Sequence, residues 1–208
     1  MTPGSVLWLA GEPLVLASKS TIRCQILNAA GLPVDVVPAV LDERAVEDVA
    51  RAGGHGAAGV AAALAREKAL AVSRAQRGRI VIGADQTLDL DGEGLHKPTD
   101  IDTARVQLRR LSGRRHTLYS AAAIARSGEV LAVAASLATL TMRTLSDDMI
   151  DRYCRQAGPA ILGSVGAYQL EGLGIHLFET VVGDHFTILG LPLIEILARL
   201  RDLGHVAR

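Results

Sequence analysis

Apolar positions along the chain change period repeatedly, and the changes predict strands alternating with helices. Leu14-Val15-Leu16-Ala17 is a continuous apolar run of strand length, and Ser18-Lys19-Ser20-Thr21 is the turn into a helix. Ser20 is the expected N-cap, Ile22, Ile26 and Ala29 or Ala30 mark the packed face, and Gly31 with Pro33 closes the helix. Val34 to Val37 alternates as a strand does, and Asp42-Glu43-Arg44 is expected in a loop. Arg51 to Gly59 is glycine-rich and reads as a mobile flap or a simple connector. Beyond it, Val60 to Ser73 is alanine-rich and helical in pattern, with a stripe of Val60, Leu64, Lys68 and Ala71 or Val72.

The central stretch runs from Ile80 to Asp100. Ile80-Val81-Ile82 is β-branched and leads directly into Gly83-Ala84-Asp85, so a buried strand delivers a carboxylate to a sheet edge. Alternation past that point groups Asp85, Thr87 and Asp89 on one face. Asp91-Gly92 signals a turn, and Lys97-Pro98 brings a cation back. Two readings stand: a hairpin with a solvated acidic face, or a site for a metal-bound phosphate.

Thr99-Asp100-Ile101-Asp102 has the form of a capping box. The helix it starts carries Ile101, Ala104, Leu108 and Leu111 inward and stops at Gly113. Two long strands, His116 to Ala125 and Val130 to Arg143, flank the turn Ser127-Gly128. Ser146-Asp147-Asp148 opens a further helix, ended by Gly158-Pro159. Gly163 to Gly174 is too glycine-rich for regular structure, yet it holds Tyr168, Gln169 and Glu171. Ile175 to Phe178 and His185 to Leu189 read as strands. Pro192, at N1, starts a last helix with Leu193, Ile196, Leu197, Leu200 and Leu203 inward.

Composition narrows the chemistry. The 208 residues fit one large domain, or two lobes sharing a sheet. Hydrophobic residues make up 49% but aromatics only 3%, so the core must be Ala, Leu, Val and Ile. The 22 basic and 22 acidic residues balance, which leaves no footprint for non-specific nucleic-acid binding and makes any anion site a local cluster. Cys24 and Cys154 are too few for a disulfide framework or a zinc site, and a reducing cytoplasm is the expected compartment. The opening MTPGSVLWLAGEP lacks the basic start and length of a signal peptide, and no apolar run approaches the ~20 residues of a membrane span.

Three cations stand where the fold gives them no obvious use. Lys19 and Arg23 sit at a helix N-terminus, against the macrodipole, a conflict of ~0.3–1 kcal/mol each that a bound phosphate would reverse. The alternative is that Arg23 pairs with a surface acid. Lys68 interrupts an apolar stripe, so it either snorkels to the rim or points into an anion-holding cleft.

Taken together, four blocks resemble the Maf family of nucleoside triphosphate pyrophosphatases. They are Leu16-Ala17-Ser18-Lys19-Ser20 with Arg23; Asp42-Glu43; Ile82 to Asp85 through Lys97-Pro98; and GAYQLEGLGIHLFE through GLPL, Gly166 to Leu193. The likeness runs from Leu14 to about Leu203. It implies a single domain over 1–208: a two-lobed α/β, inosine-triphosphatase-like fold around a long mixed β-sheet, with the nucleotide in a central cleft. It also implies hydrolysis between the α and β phosphates, with a divalent cation, Mg²⁺ or Mn²⁺.

Asp85 matches the family's catalytic aspartate, the proton acceptor, and Ser18, Arg23, Lys68 and Lys97 match its phosphate-side positions. Glu43 matches an acidic cleft position and, with Asp85, is the expected metal ligand; Asp89 is a weaker candidate. A lone carboxylate is a weak general base at neutral pH, a demand that a metal-acidified water relaxes. One family arrangement has Pro and a first Arg where Thr21 and Ile22 stand. Gln86 and Glu171 agree with the subfamily acting on GTP methylated at ring N7; a carboxylate can accept from guanine N1–H and its exocyclic amine. Ile22 occupies a position where that subfamily often has Trp, and it also lies on the helix's apolar stripe. The alternatives are a dTTP/UTP-type or inosine-type pyrophosphatase, or a non-catalytic nucleotide-binding protein of division control. A homodimer is the default assembly expectation.

Overall fold

The computed structural model describes residues 7–208. The first six residues, part of the stretch read against a signal peptide, lie outside the described residues. The elements in chain order are β1 (Leu14–Leu16), α1 (Thr21–Ala29), β2 (Val34–Val36), α2 (Glu43–Ala52), α3 (Ala57–Ser73), β3 (Val81–Leu90) and β4 (Glu93–Leu95). They continue with α4 (Ile101–Leu111), β5 (Arg115–Arg126), β6 (Glu129–Met142), α5 (Asp147–Ala157), β7 (Phe178–Val182), α6 (His185–Ile188) and α7 (Leu193–Asp202). Among the described residues no helix is long and apolar enough to cross a membrane.

One mixed, seven-stranded sheet runs in the order β2-β1-β3-β5-β6-β7, with β4 paired to β3. β1 is parallel to β2 and β3; the remaining pairs are antiparallel. Both hairpin turns predicted from sequence form, with positive φ at Asp91-Gly92 and at Ser127-Gly128, the geometry that matches the twist of the flanking strands.

The sheet forks at β3. One edge of β3 pairs continuously with β5, from Val81 to Asp89. The other edge is shared: β1 takes Val81 and Ile82, and β4 takes Leu88 to Leu90. Gly83 to Thr87 lie between the prongs, with β5 on one edge and no strand on the other.

The side chains of β3 alternate across the sheet. Ile82 and Ala84 join a core of Leu14, Leu16, Leu27, Ile124, Ile196 and Leu200, roofed by α1 and α7. Leu88 and Leu90, further along the same face, belong to a second core with Leu108, Leu111, Leu118, Leu140 and Ile150, roofed by α4 and α5. The other face carries α3, whose Ala61, Ala65 and Ala69 pack on Ala121, Ala123 and Ala125 of β5. Small residues on both sides bring helix and sheet close. Gly83 is the tightest point: a Cβ there would lie 2.3 Å from the Ala65 carbonyl oxygen and 2.4 Å from the Ala69 nitrogen.

Several boundaries differ from the sequence reading. Asp42-Glu43-Arg44 is not a loop: the Asp42 side chain accepts from Ala45 N–H and starts α2 at Glu43. The glycine-rich stretch from Arg51 shrinks to Gly53–Gly56, because α2 continues through Ala52 and α3 begins at Ala57. Asp100, not Thr99, caps α4, accepting from Thr103 N–H at 2.7 Å. Ile175 to Phe178 and His185 to Leu189 are not two strands. Leu173–Leu177 is a 3-10 turn, the strand is Phe178–Val182, and His185–Ile188 is a helical turn capped by Asp184. Pro192 is the N-cap of α7 rather than its first residue. The apolar run preceding α7 carried no period to separate strand from helix, and the cap residue decided it.

Candidate functional site

The fork opens into a cleft of about 1170 Å³. Of the residues singled out from sequence, Ser18, Ile22, Arg23, Glu43, Lys68, Asp85, Gln86, Lys97 and Glu171 reach its lining, and Asp89 does not. They come from elements far apart in the chain.

Asp85 points toward α3 from the stretch of β3 that has a strand on one edge only. Because Gly83 lets α3 sit against the strand, Lys68 reaches the Asp85 Oδ1 at 2.5 Å. The Lys68 Nζ also lies 3.0 Å from Glu43 Oε1, so one ammonium is held between two carboxylates. Lys68 is only 8% exposed, which decides the alternative left open by its place in the stripe: it points into the cleft and does not snorkel. A desolvated ion pair of this kind costs solvation to form, and such groups recur where chemistry requires them. Asp89 is elsewhere, accepting the Gly92 N–H in the hairpin turn at 3.0 Å. Thr87 donates to the Ala57 carbonyl at 2.9 Å and fixes the start of α3.

Arg23 enters from the opposite face. Its Nη1 donates to Ser18 Oγ at 3.0 Å and to the Ala84 carbonyl at 2.9 Å, and its Nε donates to the Gly190 carbonyl at 2.8 Å. The Ala84 carbonyl belongs to the open edge of β3, so a guanidinium supplies the donor that a neighbouring strand would have given. No carboxylate lies within ion-pair distance of Arg23 among the described residues, which removes the surface-acid reading. Burial lowers its pKa, and Asp85 and Glu43 oppose that shift.

Lys97 is exposed on the hairpin wall. Desolvation lowers its pKa first, and Arg23 and then Lys68 lower it further, while Asp85 and Glu43 pull it back up. These five groups therefore share one electrostatic neighbourhood.

Gln86 has a structural load as well. Its Nε2 donates to Ser120 Oγ at 3.1 Å and to the Thr187 and Ile188 carbonyls at 3.1 and 3.0 Å, binding α6 to the sheet between the two cores. Ile22 is half-buried on the wall and also packs against the α1–α7 core, so it serves both readings given it. Glu171 is exposed on the far lip, in the loop that also carries Tyr168. Among the described residues no cluster of three or more His, Cys, Asp or Glu side chains could by itself hold a metal. The pair Asp85 and Glu43 fits the other mode, in which one or two carboxylates hold Mg²⁺ together with substrate phosphate and water.

Among the cleft-lining residues that sequence patterns do not single out are Glu47, Arg51 and His96. Glu47 and Arg51 face each other one turn apart on α2, a relation that only the helix from Glu43 to Ala52 creates.

A mixed sheet forked beside a carboxylate–lysine–carboxylate array, with Arg23 and Lys97 across from it, defines an α/β protein with a cleft suited to a polyanion. The chain belongs to the Maf-like protein family, whose model matches residues 13–203. A nucleoside triphosphate pyrophosphatase of Rhodopseudomonas palustris (strain BisB18) is 51% identical over 196 residues, covering 94% of this chain and 96% of the relative. A nucleoside triphosphate pyrophosphatase of Nitrobacter winogradskyi (strain ATCC 25391 / DSM 10237 / CIP 104748 / NCIMB 11846 / Nb-255) is 53% identical over 197 residues, covering 94% and 96%. A 7-methyl-GTP pyrophosphatase of Rhizobium meliloti (strain 1021) is 48% identical over 193 residues, covering 93% and 97%.

Proposed function

We propose that the protein is a nucleoside triphosphate pyrophosphatase that hydrolyses the α–β phosphoanhydride, releasing a nucleoside monophosphate and pyrophosphate. The observation that carries this reading is the Lys68 ammonium held between Asp85 and Glu43 at the open-edged stretch of β3, facing Arg23 and Lys97. The nearly full-length likeness to proteins named for that activity supports it. Arg23, Lys68 and Lys97 neutralise the triphosphate and the charge that develops on the departing pyrophosphate. Asp85 orients the attacking water and accepts its proton. Asp85 and Glu43 are the residues that would hold a divalent cation, Mg²⁺ or Mn²⁺, which when bound acidifies water and offsets phosphate charge.

The substrates we infer are non-standard or methylated nucleotides, 7-methyl-GTP among them. Glu171 on the cleft lip supports a guanine base, and the Rhizobium meliloti relative is named for that substrate. Action in the cytoplasm accords with two free thiols, Cys24 and Cys154.

Incubating the purified protein with magnesium or manganese and a panel of 7-methyl-GTP, UTP, dTTP and ITP tests the reading through pyrophosphate release. A flat profile of kcat/KM sinks the methylated-guanine preference, and intact triphosphates sink the activity. Asp85→Asn is expected to lower kcat by about 10²–10⁴ with a cooperative melt preserved; unchanged turnover would remove Asp85 from the chemistry.

A further inference from the structure

We propose that Glu47 and Arg51 form a latch that holds a strap, residues 94–98 with Lys97 among them, against the cleft and act as positioning residues for polyphosphate binding. The proposal rests on the assignment of Lys97 to the phosphate side.

Arg51 donates through Nε to Glu47 Oε1 at 2.8 Å, and its Nη2 lies at the same distance from that oxygen. The Glu47 side chain is 16% exposed, and its Oε2 lies 3.8 Å from His96 Nδ1. The Arg51 Nη2 also rests over Gly94 of β4, where a Cβ would come within 2.7 Å of it. One side of the strap is therefore held by α2 at Gly94 and His96. The other side is held by α4, where Gln107 Nε2 donates to the His96 carbonyl at 2.7 Å. Lys97 follows directly, and the buried Pro98 fixes the chain after it.

The strap needs holding because Lys97 faces Arg23 and Lys68. The Lys97 ammonium makes no hydrogen bond or ion pair among the described residues, and the repulsion from Arg23 and Lys68 is opposed by the attraction of Asp85 and Glu43, so its place is set by the backbone that carries it. Glu43 opens the same helix and is tied to Lys68, so α2 links both cations at fixed spacing. Loss of the latch leaves Lys97 in place chemically but ungoverned in position, a cost that binding must then meet.

Gly94→Val tests this without touching any group assigned to phosphate, since the close atom facing a Cβ there is the flexible end of Arg51 at 2.7 Å and the next neighbour, the Leu88 carbonyl, is at an ordinary 3.9 Å. Calorimetric titration with inorganic pyrophosphate should show binding weakened about threefold to fivefold. The same substitution in a Lys97→Ala background should have almost no effect. Glu47→Gln provides the second route should Gly94→Val fold poorly, with the same expected pattern. Wild-type affinity in both variants, or an undiminished loss in the Lys97→Ala background, overturns the latch. Turnover of the nucleotide panel together with either result leaves the activity standing. Pyrophosphate binding in the expected pattern without turnover removes the activity and keeps the latch. A wild-type protein that does not bind pyrophosphate overturns the latch, and the nucleotide panel alone then decides the activity.

Discussion

Single ionisable groups in this molecule are set by what surrounds them, and His116 shows it most clearly. It is 2% exposed, its Nε2 lies 2.8 Å from the Tyr168 hydroxyl, and burial pushes its pKa down to about 4 from an ordinary 6.5. The unfolded chain therefore binds the proton more readily between those values. Stability is fully present above pH 6.5 and falls as pH drops toward 4, by up to about 3 kcal/mol. Asp100 and Asp148 are held below the ordinary carboxylate value, mainly by hydrogen bonds from Thr103 and Arg152, so what they contribute is present at neutral pH and is lost only as pH falls below the ordinary carboxylate range. Urea unfolding at intervals across this window should show the decline. The double variant His116→Leu/Tyr168→Phe, which removes both polar partners, should flatten it. At this scale the sequence was informative about Lys68 and Arg23, because each broke a rule of its helix. It was silent about His116, since a histidine in an alternating strand carries no sign of which face is wet.

Between elements, the decisive feature is how near α3 comes to β3. The alanine content of both surfaces was legible, but its purpose was not: it sets the reach of Lys68 to Asp85. Gly83→Ala places a methyl against main-chain atoms that cannot swing aside. Helix and strand must separate, with an expected loss of about 1–3 kcal/mol. A thermal melt paired with a turnover assay checks this. Both stability and kcat should fall, whereas Ala61→Gly, in the same helix but off the contact with Gly83, should lower the melting temperature alone. Helix α2 and the segment before α7 were misread for one reason. Their periodicity was short or absent, and the side-chain caps Asp42 and Asp184 outweighed it.

For the molecule as a whole, the order of the seven strands was beyond any pattern in the chain. β1, β3 and β5 are neighbours although α1, β2, α2, α3, β4 and α4 intervene in sequence. Pairing of that kind is decided by packing across long separations. The four motif blocks could be ordered along the chain but not placed in space. Only the fork of β3 explains why residues as distant as Ser18, Lys68, Lys97 and Glu171 line one cleft. The fork also carries a hazard. Main-chain groups bare of a partner strand invite any extended peptide to dock on them. Arg23 occupies the Ala84 carbonyl and thereby keeps the seam closed to such visitors. Arg23→Leu should accordingly do more than weaken substrate binding: on gentle warming, light scattering should rise well before the wild type's. The guanidinium would then be a guard against self-adhesion as much as a grip on phosphate, and selection on either task would preserve the other.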